Sequence, residues 1–174
     1  MCGIIGVYNV GGTNADLVER MASRMAHRGP DGFGMTHDGV LAFGALRLAI
    51  IDLAAPAGPI FNEDGTIGIV FNGEIYNYRE LMTELKHAGH RYNTQTDTEV
   101  IVHGYEEWGD DVISRLRRMF ALGIWDSNRQ RLLLVRIDWA RSRCTIRSKT
   151  TVNSCSRRRS RHFSPSQRAA GSQL

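Results

Sequence analysis

Cys2 stands directly behind the initiator methionine. Removal of Met1, expected before so small a residue, would leave a thiol and a free α-amine on one residue. Such an amine has a reference pKa of about 7.7–8.0 and accepts a proton near neutral pH. A lysine could do so only after a large shift. The thiolate is the attacking form of cysteine. One residue thus supplies nucleophile and base, as an N-terminal threonine does beside its own amine. Position alone also fits a small buried apolar side chain. Asn72-Gly73 taken alone reads as a hairpin turn. Arg47 and Asp97 taken alone read as surface charges. His27, His37, His87, His90 and His103 show no ligand spacing, so no metal is expected.

The bulk properties narrow the class. The chain of 174 residues is 42% hydrophobic, enough for one domain with a real core. Three cysteines, two of them late in the chain, make no disulfide framework. No run approaches the roughly 20 apolar residues of a membrane span. The apolar start lacks the basic leader of a signal peptide, and residue 2 is not the glycine that myristoylation needs. A cytoplasmic protein is expected.

The elements that must position these residues follow from periodicity and breakers. Cys2 to Val10 reads as a strand closed by Gly11-Gly12. Asn14 caps a helix to about Ala26, with Leu17, Val18, Met21 and Met25 on one face. Residues 28–32 are a turn. Val40 to Leu53 holds two apolar runs around Gly44, read as two strands. Ile67 to Phe71 is a strand ending at Asn72-Gly73. Tyr78 to Ala88 and Thr98 to Trp108 are helices. Phe120 to Trp125 and Leu132 to Val135 form a strand pair joined by the polar turn 126–129. Strands dominate and helices cluster between them, which predicts an α+β sandwich rather than regular βαβ alternation.

Five segments, in order, carry a resemblance. They are Met1-Cys2-Gly3-Ile4-Ile5-Gly6, His27-Arg28-Gly29-Pro30-Asp31-Gly32, Arg47-Leu48-Ala49-Ile50-Ile51-Asp52, Phe71-Asn72-Gly73-Glu74-Ile75-Tyr76-Asn77-Tyr78 and Thr96-Asp97-Thr98-Glu99-Val100-Ile101. Together they resemble the signatures of class II, N-terminal-nucleophile glutamine amidotransferases. The fourth favours the asparagine synthetase kind. The resemblance implies an N-terminal-nucleophile hydrolase sandwich of antiparallel sheets with flanking helices, and a glutaminase reaction on L-glutamine through a Cys2 thioester. It assigns the oxyanion donors to the Asn72 side chain and the Gly73 N–H. It assigns the substrate α-carboxylate to Arg47 and the α-ammonium to Asp97, with Leu48, Ile50, Ile51 and Glu74 completing the pocket. The loop 28–32 would shape that pocket without acting in catalysis. No cofactor is implied for this chain; ATP and magnesium belong to a synthetase domain that would accept the ammonia and amidate aspartate. Two positions depart from the family's pattern. Ala45 stands where a histidine is common, and Arg118 stands where a glycine commonly precedes Met119-Phe120-Ala121.

Charge divides the chain. Residues 1–136 carry 13 basic and 17 acidic residues, and residues 137–174 carry nine basic and one acidic. The expected division is a partial amidotransferase domain over 1–136 and an Arg/Ser-rich, disordered tail over 137–174. After Leu-Leu-Val-Arg the family continues roughly as Asp-Arg-Leu-Gly-x-Lys-Pro-Leu-Tyr. Codons permitted for Ile137 to Thr145, read one base earlier, give that string, with Trp139 fixing TGG. A frameshift near codon 136 is therefore the expected origin of the tail. The alternatives retained are an inactive fragment, a non-catalytic glutamine-binding domain, a glutaminase serving another carboxylate, and a basic protein whose tail binds nucleic acid.

Overall fold

The computed structural model describes residues 2–9, 11–13, 15–49, 57–136 and 161–163. Eight strands and four helices follow one another as β1 (Gly3–Tyr8), α1 (Ala15–Arg24), β2 (Gly32–Asp38), β3 (Leu41–Arg47), β4 (Ile60–Phe61), β5 (Ile67–Ile75), α2 (Tyr78–His87), α3 (Glu99–Trp108), α4 (Val112–Arg115), β6 (Arg118–Asp126), β7 (Arg131–Arg136) and β8 (Arg161–Phe163). They build two antiparallel sheets, ordered β1-β3-β2 and β4-β5-β6-β7-β8.

Side-chain alternation along the strands assigns each face. In the first sheet Ile5, Ala42 and Leu46 pack on Val18 and Ala22 of α1. The opposite face presents Ile4, Tyr8, Leu41, Phe43 and Ala45 to Val70, Trp125 and Leu132 of the second sheet. The outer face of the second sheet, including Ile67, Ile69, Phe71, Phe120, Leu122 and Ile124, is covered by Leu81, Met82 and Leu85 of α2 and by Val100, Ile101 and Tyr105 of α3. The layers therefore run helix, sheet, sheet, helices. Burying Leu or Ile side chains of this kind contributes about 1.5–3 kcal/mol each. The Trp125 indole N–H donates to Asp38 Oδ2 at 2.7 Å and ties the two sheets at one end.

Several boundaries differ from those read in the sequence. Leu17 is 38% exposed while Ala22 is buried, so the apolar face of α1 is rotated from the one expected. The 40–53 region holds one described strand, not two, with Gly44 inside it. A Cβ at Gly44 would lie 2.7 Å from the Gly34 carbonyl oxygen, so this glycine admits close pairing with β2 rather than breaking a strand. Residues 50–56 lie outside the described set. The Asn72-Gly73 pair sits within β5 rather than in a turn, because β6 pairs with β5 from Ile67 through Ile75. Arg118 opens β6 opposite Ile75 with no positive φ; Gln130 is the one non-glycine residue so strained among those described. In the tail the described residues are Arg161–Phe163, which pair with Leu132–Leu134 of β7. The rest of the 137–174 reading lies outside the described residues. No described helix is long and apolar enough to cross a membrane.

Candidate active site

Cys2 precedes β1, where Gly3 faces Leu46 of β3. Since Ile4 and Tyr8 turn to the second sheet and Ile5 and Val7 to α1, the Cys2 side chain falls on the intersheet side. The Leu48 N–H donates to Cys2 Sγ at 3.4 Å, and the thiol reaches toward the Leu48 carbonyl at 3.7 Å. Cys2 is only partly buried.

The loop before β2 secures this arrangement. Arg28 Nε and Nη2 each lie 3.4 Å from the Cys2 carbonyl oxygen. Asp31 donates its N–H to the Arg47 carbonyl at 3.1 Å and accepts the Ala49 N–H on Oδ2 at 2.8 Å. Pro30 bridges to Arg47. A Cβ at the intervening Gly29 would stand 2.5 Å from the Arg47 nitrogen and from the Leu46 carbonyl carbon. Only glycine lets the loop lie this close. The sequence marked residues 28–32 as a loop, but gave no sign that Arg28 holds the Cys2 backbone. Arg47 ends β3 in the face sequence Leu41, Phe43, Ala45, so its side chain belongs to the intersheet side, as Cys2 does.

The second half of the site lies on β5, which passes against β1 and β3 across the interior. Val70 faces inward, so Asn72 and Glu74 share its face. The direction of the Gly73 N–H follows from its neighbours. The Ile67 N–H donates to Asn62 Oδ1 beside β4, and the Ile75 N–H donates to Asp97 Oδ2 at 2.9 Å, both away from β6. The Tyr76 N–H goes to the Arg117 carbonyl on the β6 side. Antiparallel pairing alternates these directions, so the Gly73 N–H points off the β4 side, past the end of that two-residue strand. Asp97 is 7% exposed. Burial pushes its carboxyl up to about 6, the Ile75 N–H acts against that rise, and the charge of Glu74 adds to it. A cation brought beside Asp97 and Glu74 would relieve both effects.

Cys2, Arg47 and Leu48 thus gather at the junction of β1 and β3. Asn72, Gly73, Glu74 and Asp97 gather at the end of β5. Ile50 and Ile51 lie outside the described residues.

Two packed antiparallel sheets between helical layers, with a cysteine leading the first strand, define the class as an N-terminal-nucleophile amidotransferase fold. The glutamine phosphoribosylpyrophosphate amidotransferase of Bacillus subtilis, solved with ADP and GMP, superposes with a TM-score of 0.62 at 16% identity over 79% of this chain and 37% of that one. A structure described as the allosteric regulatory enzyme of purine biosynthesis gives 0.63 at 16% identity, with the same coverage of 79% and 37%. Those likenesses are of fold. In sequence, residues 1–140 match the glutamine amidotransferase domain family, and the chain belongs to that family. Asparagine synthetase [glutamine-hydrolyzing] 1 of Bacillus subtilis is 43% identical over 133 residues, which is 74% of this chain and 21% of the relative. Asparagine synthetase [glutamine-hydrolyzing] 2 of the same organism is 39% identical over 141 residues, 78% of this chain and 19% of the relative. The corresponding enzyme 1 of Arabidopsis thaliana is 38% identical over 139 residues, 78% and 24%. The chain spans about a fifth of the length of the Bacillus relatives.

Proposed function

We propose that this domain hydrolyses L-glutamine to glutamate and ammonia, with Cys2 as nucleophile. The observation that carries the reading is the seating of the Cys2 thiol on Leu48 with its carbonyl held by Arg28, on the inner side shared with Asn72 and Glu74. With Met1 removed, the α-amine of Cys2 takes the thiol proton. The sulfur attacks the side-chain amide carbon of glutamine, and the carbonyl electron pair moves to oxygen. The Asn72 side-chain N–H and the Gly73 N–H donate to that oxyanion. Collapse breaks the C–N bond, the ammonium of Cys2 returns its proton to the leaving nitrogen, and ammonia departs. The γ-glutamyl thioester left on Cys2 is opened by a water deprotonated by the same amine, which releases glutamate and the thiol. Arg47 holds the α-carboxylate through its planar fork. Asp97 and Glu74 hold the α-ammonium, with Leu48, Ile50 and Ile51 lining the pocket.

The names of the relatives support asparagine as the product toward which the ammonia goes. A synthetase partner domain, using ATP and magnesium to activate aspartate, would consume it. A glutamine-like electrophile tests the nucleophile. One added mass on Cys2, slowed by glutamine and absent in Cys2→Ala, is the expected result. Labelling of Cys144 or Cys155 with Cys2 untouched would overturn the assignment.

A further inference from the structure

On the far side of the second sheet stand two histidines and two glutamates whose donor atoms all lie within 4.8 Å of one another: Glu63, His90, His103 and Glu106. They come from three places. Glu63 lies in the turn between β4 and β5, His90 follows α2, and His103 and Glu106 lie one turn apart on α3. His103 Nδ1 stands 3.4 Å from Glu63 Oε2 and 3.8 Å from Glu106 Oε2. His90 Nδ1 stands 3.5 Å from Glu106 Oε2 and 3.9 Å from Glu63 Oε1. With metal–nitrogen bonds of about 2.0–2.1 Å, the edge of a tetrahedron is roughly 3.3–3.4 Å. The histidine–carboxylate separations of 3.4–3.9 Å lie a little above that edge, and one donor atom from each residue falls within 4.8 Å of the others, close enough to contract around an ion.

Other contacts already hold these groups in place. His103 Nε2 faces Glu99 Oε1 at 3.5 Å, and Glu99 is itself fixed by the Asn93 and Thr94 N–H groups at 2.7 Å each. His90 Nε2 faces Glu107 Oε2 at 3.4 Å. Glu63 Oε1 accepts the Arg91 N–H at 2.8 Å, and Glu106 Oε1 accepts from Asn62 Nδ2 at 3.2 Å. A carboxylate on Nε2 leaves the Nδ1 lone pair free for a metal, the arrangement that orients histidine ligands. His103 supplies an independent sign. Its side chain is wholly buried, and its Nδ1, aimed into the cluster, has no hydrogen-bond partner. Buried polar atoms seldom stay in that condition without cause. Four carboxylates surround two imidazoles here, and a divalent cation would offset their mutual repulsion. The side chains of Glu63 and Glu106 are 36% and 34% exposed, which leaves an entry path.

We propose that Glu63, His90, His103 and Glu106 bind one divalent transition-metal ion, zinc by its tolerance of nitrogen and carboxylate donors in four-coordinate geometry. The ion fastens the β4–β5 turn and the segment after α2 to α3. Glu99 links it to the N-terminus of α3, two residues from Asp97, so the site is structural and supports the substrate-binding end of that helix.

The test uses the untagged full chain, stripped with a chelator and titrated with zinc against a chromophoric competitor. One tight equivalent is expected, and cobalt(II) in its place should give the intense visible bands of a four-coordinate ion. His90→Ala and Glu106→Gln, both at partly exposed positions, should each weaken binding tenfold or more while circular dichroism stays unchanged. Cys2→Ala should bind as the parent does. Absence of binding, full binding in the His90→Ala/Glu106→Gln double variant, or loss of binding in Cys2→Ala alone would each overturn the proposal.

Discussion

Asp97→Asn separates what the site needs from what the fold prefers. The Asp97 carboxyl is 7% exposed and titrates at about 6, against 3.8 for the free side chain. The folded state therefore binds its proton more tightly than the unfolded chain does. Below the unfolded value both states are protonated and the group costs nothing. Between about 4 and 6 the unfolded chain ionises first, and stability falls as pH rises. Above about 6 the full penalty is present, on the order of 3 kcal/mol at 1.36 kcal/mol for each unit. Asparagine carries no such penalty, and its side-chain oxygen can still accept the Ile75 N–H. The variant should match the parent at pH 4 and exceed it by about 2–3 kcal/mol at pH 8. For a chain of this size that is a rise in Tm of roughly 5–10 °C. Its KM for glutamine should rise steeply, since the carboxylate proposed to meet the α-ammonium is gone. Thermal melts across pH 4–8 read the first effect and steady-state kinetics the second. A stability difference independent of pH would refute the reasoning.

Substitutions at three further positions test the geometry. Arg28→Ala should lower kcat by about tenfold to a hundredfold with little change in KM, as expected when a nucleophile is misplaced; Arg28→Lys should recover part of it, and an effect confined to KM would count against the role. Gly29→Ala should destabilise the domain by about 1–3 kcal/mol, because its Cβ would meet the Arg47 nitrogen and the Leu46 carbonyl carbon at 2.5 Å; urea titration measures this. Asn72→Ala should lower kcat by about a hundredfold or more through loss of one oxyanion donor, while electrophile labelling of Cys2 still reports a folded pocket.

The two-sheet architecture was legible because apolar alternation, turn residues and ordered motifs agreed. What escaped was decided by pairing. Gly44 resembles a strand break in one dimension, yet it is the residue that lets β2 approach β3. β2 itself carries two glycines and exposed positions at Phe33 and His37, so no periodic apolar signal marks it. Asn72-Gly73 has the composition of a turn, and only the nine-residue match with β6 keeps it extended. Residues named for chemistry fell together where strand register fixed them, as with Cys2 and Leu48. Of the Glu63, His90, His103 and Glu106 cluster, the sequence shows only the one-turn spacing of His103 and Glu106; Glu63 and His90 join them only when the fold brings the β4–β5 turn and the segment after α2 onto α3.

Ammonia release from L-glutamine by the purified protein, once mass spectrometry has shown that Met1 is gone, bears most directly on the central claim. Release that disappears in Cys2→Ala is the predicted result. Equal release by Cys2→Ala, or none from a folded, Met1-free chain whose Cys2 resists a glutamine-like electrophile, would contradict it.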